Sequence, residues 1–215
     1  MYIPEHFAEA RPSELHRIIR AHPLGMLCTA GPQGLDANHL PFLLDADSGA
    51  HGRLVGHVAR ANPLWQSVPS GSEVLVVFRG AEGYVSPNWY PSKHATHRAV
   101  PTWNYEVVHA HGVLTVHDDE KHVRSVVARL THAHEAGEPR PWKMGDAPPD
   151  FLADMLRAIV GIEVRITRLE GKRKLSQNRP AADRTGVVDA LGQRGRDALA
   201  QAVRQADPDR ADHTE

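Results

Sequence analysis

Apolar and polar positions alternate with two different periods along this chain, and the period changes mark the elements. Leu15, Ile18 and Ile19 recur at helical spacing behind Ser13, a good cap, and Pro23 limits that helix. Strand patterns follow. Leu24 to Thr29 is an apolar run, Gly31-Pro32-Gln33-Gly34 is a turn, and Leu35 to Leu44 resumes, with Pro41 making it an edge strand or a bend. Asp45 to Gly52 reads as a hairpin loop, and Arg53 to Val58 as its return strand. Asn62-Pro63 opens a short helix. Glu73 to Arg79 is a strongly apolar strand and Gly83 to Ser86 a separate short one. Pro87 to Ala99 is polar enough to read as a loop, and Thr102 to Val116 is the next strand, with Gly112 permitting a bulge or close approach. Val123, Val126, Val127 and Leu130 form the stripe of a helix from Asp118, its expected cap, to His134. Phe151, Leu152, Met155, Leu156 and Ile159 mark a second amphipathic helix. Ile162, Val164 and Ile166 alternate with Glu163, Arg165 and Thr167 in a strand from Val160 to Leu169. Gly171 to Pro180 is a basic exit, Val187 to Val203 suggests one or two C-terminal helices, and Ala206 to Glu215 a frayed tail.

Early strands joined by tight turns do not suit a doubly wound sheet. They predict a mainly β, α+β fold: a closed or partly closed antiparallel barrel with flanking helices. At 215 residues, 41% hydrophobic and 24% charged, the chain is long enough for a substantial core and ordinary for a globular protein. A formal net charge of -1 gives no global push toward nucleic acid or membrane surfaces. No signal peptide or membrane span is visible at sequence level. The single cysteine, Cys28, sits in an apolar run and fits a reducing cytoplasm.

Four segments carry candidate chemistry. In Val100-Pro101-Thr102-Trp103-Asn104-Tyr105, two aromatics and an amide stand at a strand mouth where a core strand would use Val, Ile and Leu. Flat apolar faces beside hydrogen-bonding groups suit a planar, polar-edged ligand such as a flavin ring, although aromatic packing is the plainer alternative. Gly56-His57-Val58-Ala59-Arg60-Ala61-Asn62-Pro63 places a guanidinium fork where a helix begins, a candidate anion site; the alternative is an exposed arginine beside an ordinary cap. Tyr84 to Tyr90 reads first as an aromatic cluster. From Arg165 to Arg184 there are seven basic and two acidic residues, in which Lys174, Ser176, Gln177 and Asn178 either finish a ligand site or form a solvated loop. That stretch lacks the interleaved aromatics and recognition helix of a nucleic-acid patch. Of the 15 histidines, no set shows the spacing of a three- or four-ligand metal site, and no metal is expected. His57, His109 and Tyr105 are acid–base candidates, and no catalytic residue is assigned.

Taken together, Tyr2-Ile3-Pro4, His39-Leu40-Pro41, Gly56 to Pro63, Tyr84 to Tyr90, Val100 to Tyr105, Gly161-Ile162-Glu163 and Gly171 to Asn178 closely resemble the PaiB family, FMN-binding negative transcriptional regulators. The resemblance implies an FMN-binding split β-barrel over residues 1–190, with 191–215 as a helical extension and flexible tail. It implies a cytoplasmic homodimer with FMN at the subunit interface and a DNA operator as a further partner. By the same likeness Arg60 and the backbone near Ala59 hold phosphate, with His57 and Asn62 nearby. Thr102, Trp103 and Asn104 lie near the ring or ribityl chain, and Lys174, Ser176, Gln177 and Asn178 close the site. Relatives of pyridoxamine-phosphate oxidase share the fold, so an FMN-dependent oxidoreductase is the second reading, and a haem-binding split barrel the third.

Overall fold

The computed structural model describes residues 1–206; the tail expected over 206–215 lies almost wholly outside the described residues. The elements are β1 (Ala8–Glu9), α1 (Pro12–Ala21), β2 (Leu24–Gly31), β3 (Gly34–Pro41), β4 (Leu43–Asp45), β5 (Arg53–Ala59), α2 (Leu64–Ser67), β6 (Glu73–Val85), α3 (Pro91–Thr96), β7 (Thr102–His117), α4 (Glu120–Glu135), α5 (Pro149–Arg157), β8 (Ile159–Lys174), α6 (Ala181–Gly192) and α7 (Asp197–Gln205). The strands form one antiparallel, eight-stranded sheet in the order β3-β2-β6-β7-β8-β5-β4, with β1 added on β8. The described residues pack into two compact units: Met1–Ile18, Arg79–Val108 and residues 170–206; and Ile19–Phe78 with His109–Leu169.

The second unit explains why the barrel is split. β3 and β4 are separated in sequence by Phe42 alone, yet they lie at opposite ends of the sheet order. Strands so joined force the sheet to curl, and because they do not pair with each other the barrel stays open. Phe42 makes the corner: its N–H donates to the Pro23 carbonyl at 2.8 Å, and its ring meets Phe78 edge-on. The corner needs two glycines. A Cβ on Gly25 would stand 2.7 Å from Val76 and 3.0 Å from the Phe42 ring, and one on Gly56 3.0 Å from the Pro41 carbonyl. α4 lies over β4 and β5 through Val126 and Leu130, which pack on Val55 and Leu43. Its cap is Asp119 rather than Asp118: the Asp119 carboxylate accepts from the His122 N–H at 2.8 Å.

The first unit is built around the outer halves of β6, β7 and β8. Val85, Tyr90 and Leu175 form a core with Val187, Val188 and Leu191 of α6 and Leu199 and Val203 of α7. β6 is one 13-residue strand where the pattern suggested two, because Gly80 leaves room for Glu106, whose Cβ lies 2.9 Å from where a Cβ on residue 80 would stand, without interrupting the strand. The polar segment 87–99 is a 3-10 turn followed by α3, started by Pro91 and ended by His97 in the left-handed region (φ 55°). β8 runs to Lys174, past its apolar stretch, because β1 pairs with it there: Ala8 opposes Lys172 and Glu9 opposes Gly171. Ile159 opens β8 instead of closing α5.

Candidate functional site

The expected site residues fall into two groups, one in each unit, and each group is already tied together. In the second unit, β5 ends at Ala59, and Asn62 N–H turns back to the Ala59 carbonyl at 2.9 Å. Asn62 Oδ1 accepts from Leu64 N–H (2.9 Å), and its Nδ2 donates to Asn38 Oδ1 (2.7 Å). α2 is a single four-residue turn whose first N–H is taken by Asn62, so the helix-end part of the expected anion site is replaced by the arginine alone. Arg60 is half-exposed, but its donors are engaged. Nη1 donates to Asp118 at 3.0 Å, Nε to the Arg157 carbonyl at 2.7 Å, and Nη2 to the Ile159 carbonyl at 3.2 Å. Its guanidinium also sits 5.7 Å from the Trp65 ring centre, and Trp65 Nε1 donates to the Arg60 carbonyl. The hydrogen bond and charge of Arg60 hold the Asp118 carboxyl below the usual carboxylate range. His57 turns inward: burial lowers its pKa, and its buried Nδ1 has no hydrogen-bond partner.

In the first unit, the start of β7 meets the end of β8. Lys174 Nζ donates to Thr102 Oγ1 and to the Trp103 carbonyl, the latter at 2.7 Å. Burial lowers the Lys174 pKa first, and the neighbouring charges of Lys172 and Arg179 lower it further. Asn104 and Ser176 are 1% and 4% exposed, and Asn104 Nδ2 donates to Ser176 Oγ at 2.9 Å. Ser176 has φ 68°, a left-handed conformation uncommon for a residue with a Cβ. It is held by Gln177, which folds back on the strand end: Oε1 accepts from Leu175 N–H at 2.7 Å and Nε2 donates to the Arg173 carbonyl at 2.5 Å. Asn178 is exposed at the turn, and Arg179 stacks over the Tyr90 ring at 4.9 Å. Trp103 keeps 49% of its surface exposed, as do Tyr84 (48%) and Val100 (68%). An indole left open on a residue whose backbone carbonyl holds a half-buried lysine is unusual for pure packing.

With this geometry in hand, relatives are informative. The model of the family described as "Putative FMN-binding domain" matches residues 1–168. An uncharacterized protein of Emericella nidulans is 35% identical over 243 residues, covering 95% of this chain and 97% of its own. The chain belongs to the PaiB-like family of FMN-binding domains. Within that family, the "Protease synthase and sporulation protein PAI 2" of Bacillus subtilis is 29% identical over 191 residues, 89% of each chain. Among solved structures, the flavocytochrome Anf3 of Azotobacter vinelandii superposes with a TM-score of 0.60 at 14% identity, covering 80% of this chain and 72% of that one, a likeness of fold. The PaiB-like chain is thus a split-barrel flavoprotein, and FMN is the cofactor its family assignment gives it. The family match contains the Arg60 and Trp103 segments, while Lys174 to Asn178 lie just beyond it.

Three groups escaped the pattern of the sequence. Asp118, read as a helix cap, is the partner of Arg60. Arg173 (4% exposed) and Glu106 (3%) form a buried pair at 2.8 Å, joined by Glu9 and Glu14 within 3.6 Å. Lys172 lies 5.4 Å from the Tyr105 ring centre and 5.6 Å from that of Tyr2, and donates to the Tyr2 carbonyl. The signal for the buried pair was present: Glu106 occupies the inward phase of an otherwise apolar strand. Its partner, 67 residues on, was not legible.

Proposed function

We propose that this chain is a cytoplasmic, homodimeric FMN-binding regulator of the PaiB type, repressing transcription in response to the state or presence of its flavin. The observation that carries the flavin part is the cluster of Lys174, Thr102 and Trp103. A half-buried ammonium with a lowered pKa is held on the Thr102 hydroxyl and the Trp103 backbone carbonyl, and the same residue, Trp103, keeps an exposed indole; a cation and a flat apolar face suit an electron-rich ring. FMN, when bound, supplies reversible one- and two-electron chemistry. On this reading, within the first unit Lys174 orients the ring and Asn104, Ser176, Gln177 and Asn178 shape the wall that keeps water out; within the second, Arg60 with the Ala59–Asn62 turn and His57 serves a phosphate. Residues 1–190 form the flavin-binding part and the rest an extension. The exposed Tyr84, Val100 and Trp103 supply apolar surface for the second subunit.

The test is titration of tag-free protein with FMN, followed by flavin fluorescence. Arg60→Ala and Lys174→Ala should each weaken binding about 10- to 100-fold, the worth of one charge-assisted hydrogen bond. Asp118→Asn, which frees the Arg60 fork, should tighten it. Unchanged affinity in both alanine variants would remove these residues from the site. The regulatory part requires sequence-specific mobility shifts at physiological salt, against a scrambled control; affinity that ignores sequence and disappears with salt would overturn it. An FMN-dependent oxidoreductase is the alternative outcome, read as sustained NADH or NADPH oxidation by the loaded protein.

A further inference from the structure

Histidines that are scattered in sequence converge around one glycine in the second unit. His117 ends β7, His122 lies in the first turn of α4, and Asp119 is the cap between them. The two imidazoles stack with centres 3.7 Å apart and planes 12° from parallel. Gly161 of β8 leaves the space they use: a Cβ there would lie 3.1 Å from the His122 ring and 3.5 Å from His117 Cβ. The Nε2 atoms of both histidines are buried, and neither has a hydrogen-bond partner. One ligand atom from each of His117, Asp119 and His122 lies within 4.8 Å of the others. Glu163, held by Arg53 at 3.0 Å, stands 3.9 Å from His117 Nε2. His57 opposes Gly161 across the β5–β8 ladder, and its Nδ1 is likewise buried without a partner.

Two buried, unpaired ring nitrogens are costly unless something binds them. A solvated ammonium or a carboxylate proton would satisfy one; a metal ion satisfies both at once. We propose that His117, His122 and Asp119 form a binding site for a divalent first-row transition ion of the zinc type. Two nitrogen donors and one carboxylate favour such an ion over magnesium or calcium, which prefer oxygen. Donors on one tetrahedral ion lie roughly 3.3 Å apart, so a pair at the 4.8 Å limit must close by up to about 1.5 Å. The stacked rings must also tilt until their lone pairs converge. Both adjustments use the χ2 torsion of histidine, which is broad and soft. Asp119 can serve while still capping α4, because the cap uses one oxygen, Oδ1, and leaves the other. Glu163 faces the same His117 Nε2 at 3.9 Å and adds negative charge beside the ion. The site is independent of the flavin proposal: none of its residues belongs to either group above.

The experiment uses tag-free full-length protein stripped of metal, titrated with Co²⁺ and then Zn²⁺, with and without saturating FMN. One Co²⁺ per chain should bind with the visible bands of a nitrogen-ligated four- or five-coordinate ion, and Zn²⁺ should displace it. His122→Ala and the double variant His117→Ala/His122→Ala should lose at least ten-fold in affinity, and His132→Ala, on the exposed side of α4, should lose nothing. Asp119→Asn keeps a capping side chain, so it should melt like the wild type yet bind the ion at least ten-fold more weakly. Wild-type affinity in the double variant, or in Asp119→Asn, overturns the proposal.

Discussion

Arg60 shows how a residue readable in sequence acquires its meaning from one that is not. Its position after a strand and before Asn62-Pro63 marked it as a candidate cation, but Asp118, 58 residues away, determines what it can still bind. Ser176 is the converse. Nothing in the run from Lys174 to Asn178 signals a left-handed backbone at a serine; only Gln177, folded on Leu175 and Arg173, holds it there. Glycine positions are sharper still. In Gly186 of α6 an added Cβ would lie 2.1 Å from the Trp89 carbonyl, a backbone atom that cannot step aside. Gly186→Ala should therefore destabilise by about 3 kcal/mol despite its better helix propensity, measured as a lower urea midpoint with an unchanged slope. A gain in stability would show that α6 and the 87–89 turn are not packed this way.

At the scale of elements, β1 and the end of β8 depend on ionisation more than on apolar burial. Glu9 is buried opposite Gly171. Burial raises its pKa, but hydrogen bonds from the Arg11 side chain and N–H, and the charges of Arg11 and Arg173, outweigh this and bring it below its ordinary 4.5. A carboxylate whose folded pKa is depressed contributes stability that is present above the unfolded value and is lost as pH falls through the folded one. Stability should thus hold from neutrality to about pH 5 and fall below 4.5, with Asp45 and Asp118, shifted the same way, contributing to the loss. In Glu9→Gln the protein should start less stable at pH 7 and lose less on acidification. An identical difference between wild type and variant at both pH values, by urea unfolding, would show that Glu9 does not supply the linkage.

At the scale of the whole molecule, the decisive feature is the path of the sheet. A one-residue link between β3 and β4 puts the curl of the second unit on Phe42, which is 2% exposed and pinned among Gly25, Gly56 and Phe78. Phe42→Ala should cost about 3–5 kcal/mol and broaden the unfolding transition, because the corner loses the side chain that fills it. A cost below about 1 kcal/mol, typical of a surface change, would place the curl elsewhere. β6, β7 and β8 each contribute residues to both units.

The sequence alone determined the local grammar: the stripe of α1 (which begins at Pro12, so Ser13 lies inside it and does not cap it), the 31–34 turn, the 45–52 hairpin, the stripe of α4, and the family segments that point to FMN. These depend on periodicity, turn chemistry and short motifs, all of which act between near neighbours. Tertiary structure decided the rest. The end of β8 is a strand because β1 pairs with it, not because of its own pattern. Arg60 belongs to Asp118, Asn104 to Ser176, and Arg173 to Glu106. His117 and His122 face each other because Gly161, on another strand, leaves them room. Each of these pairings sets a charge or a polar group against a partner reached only by folding, and no local pattern encodes that distance.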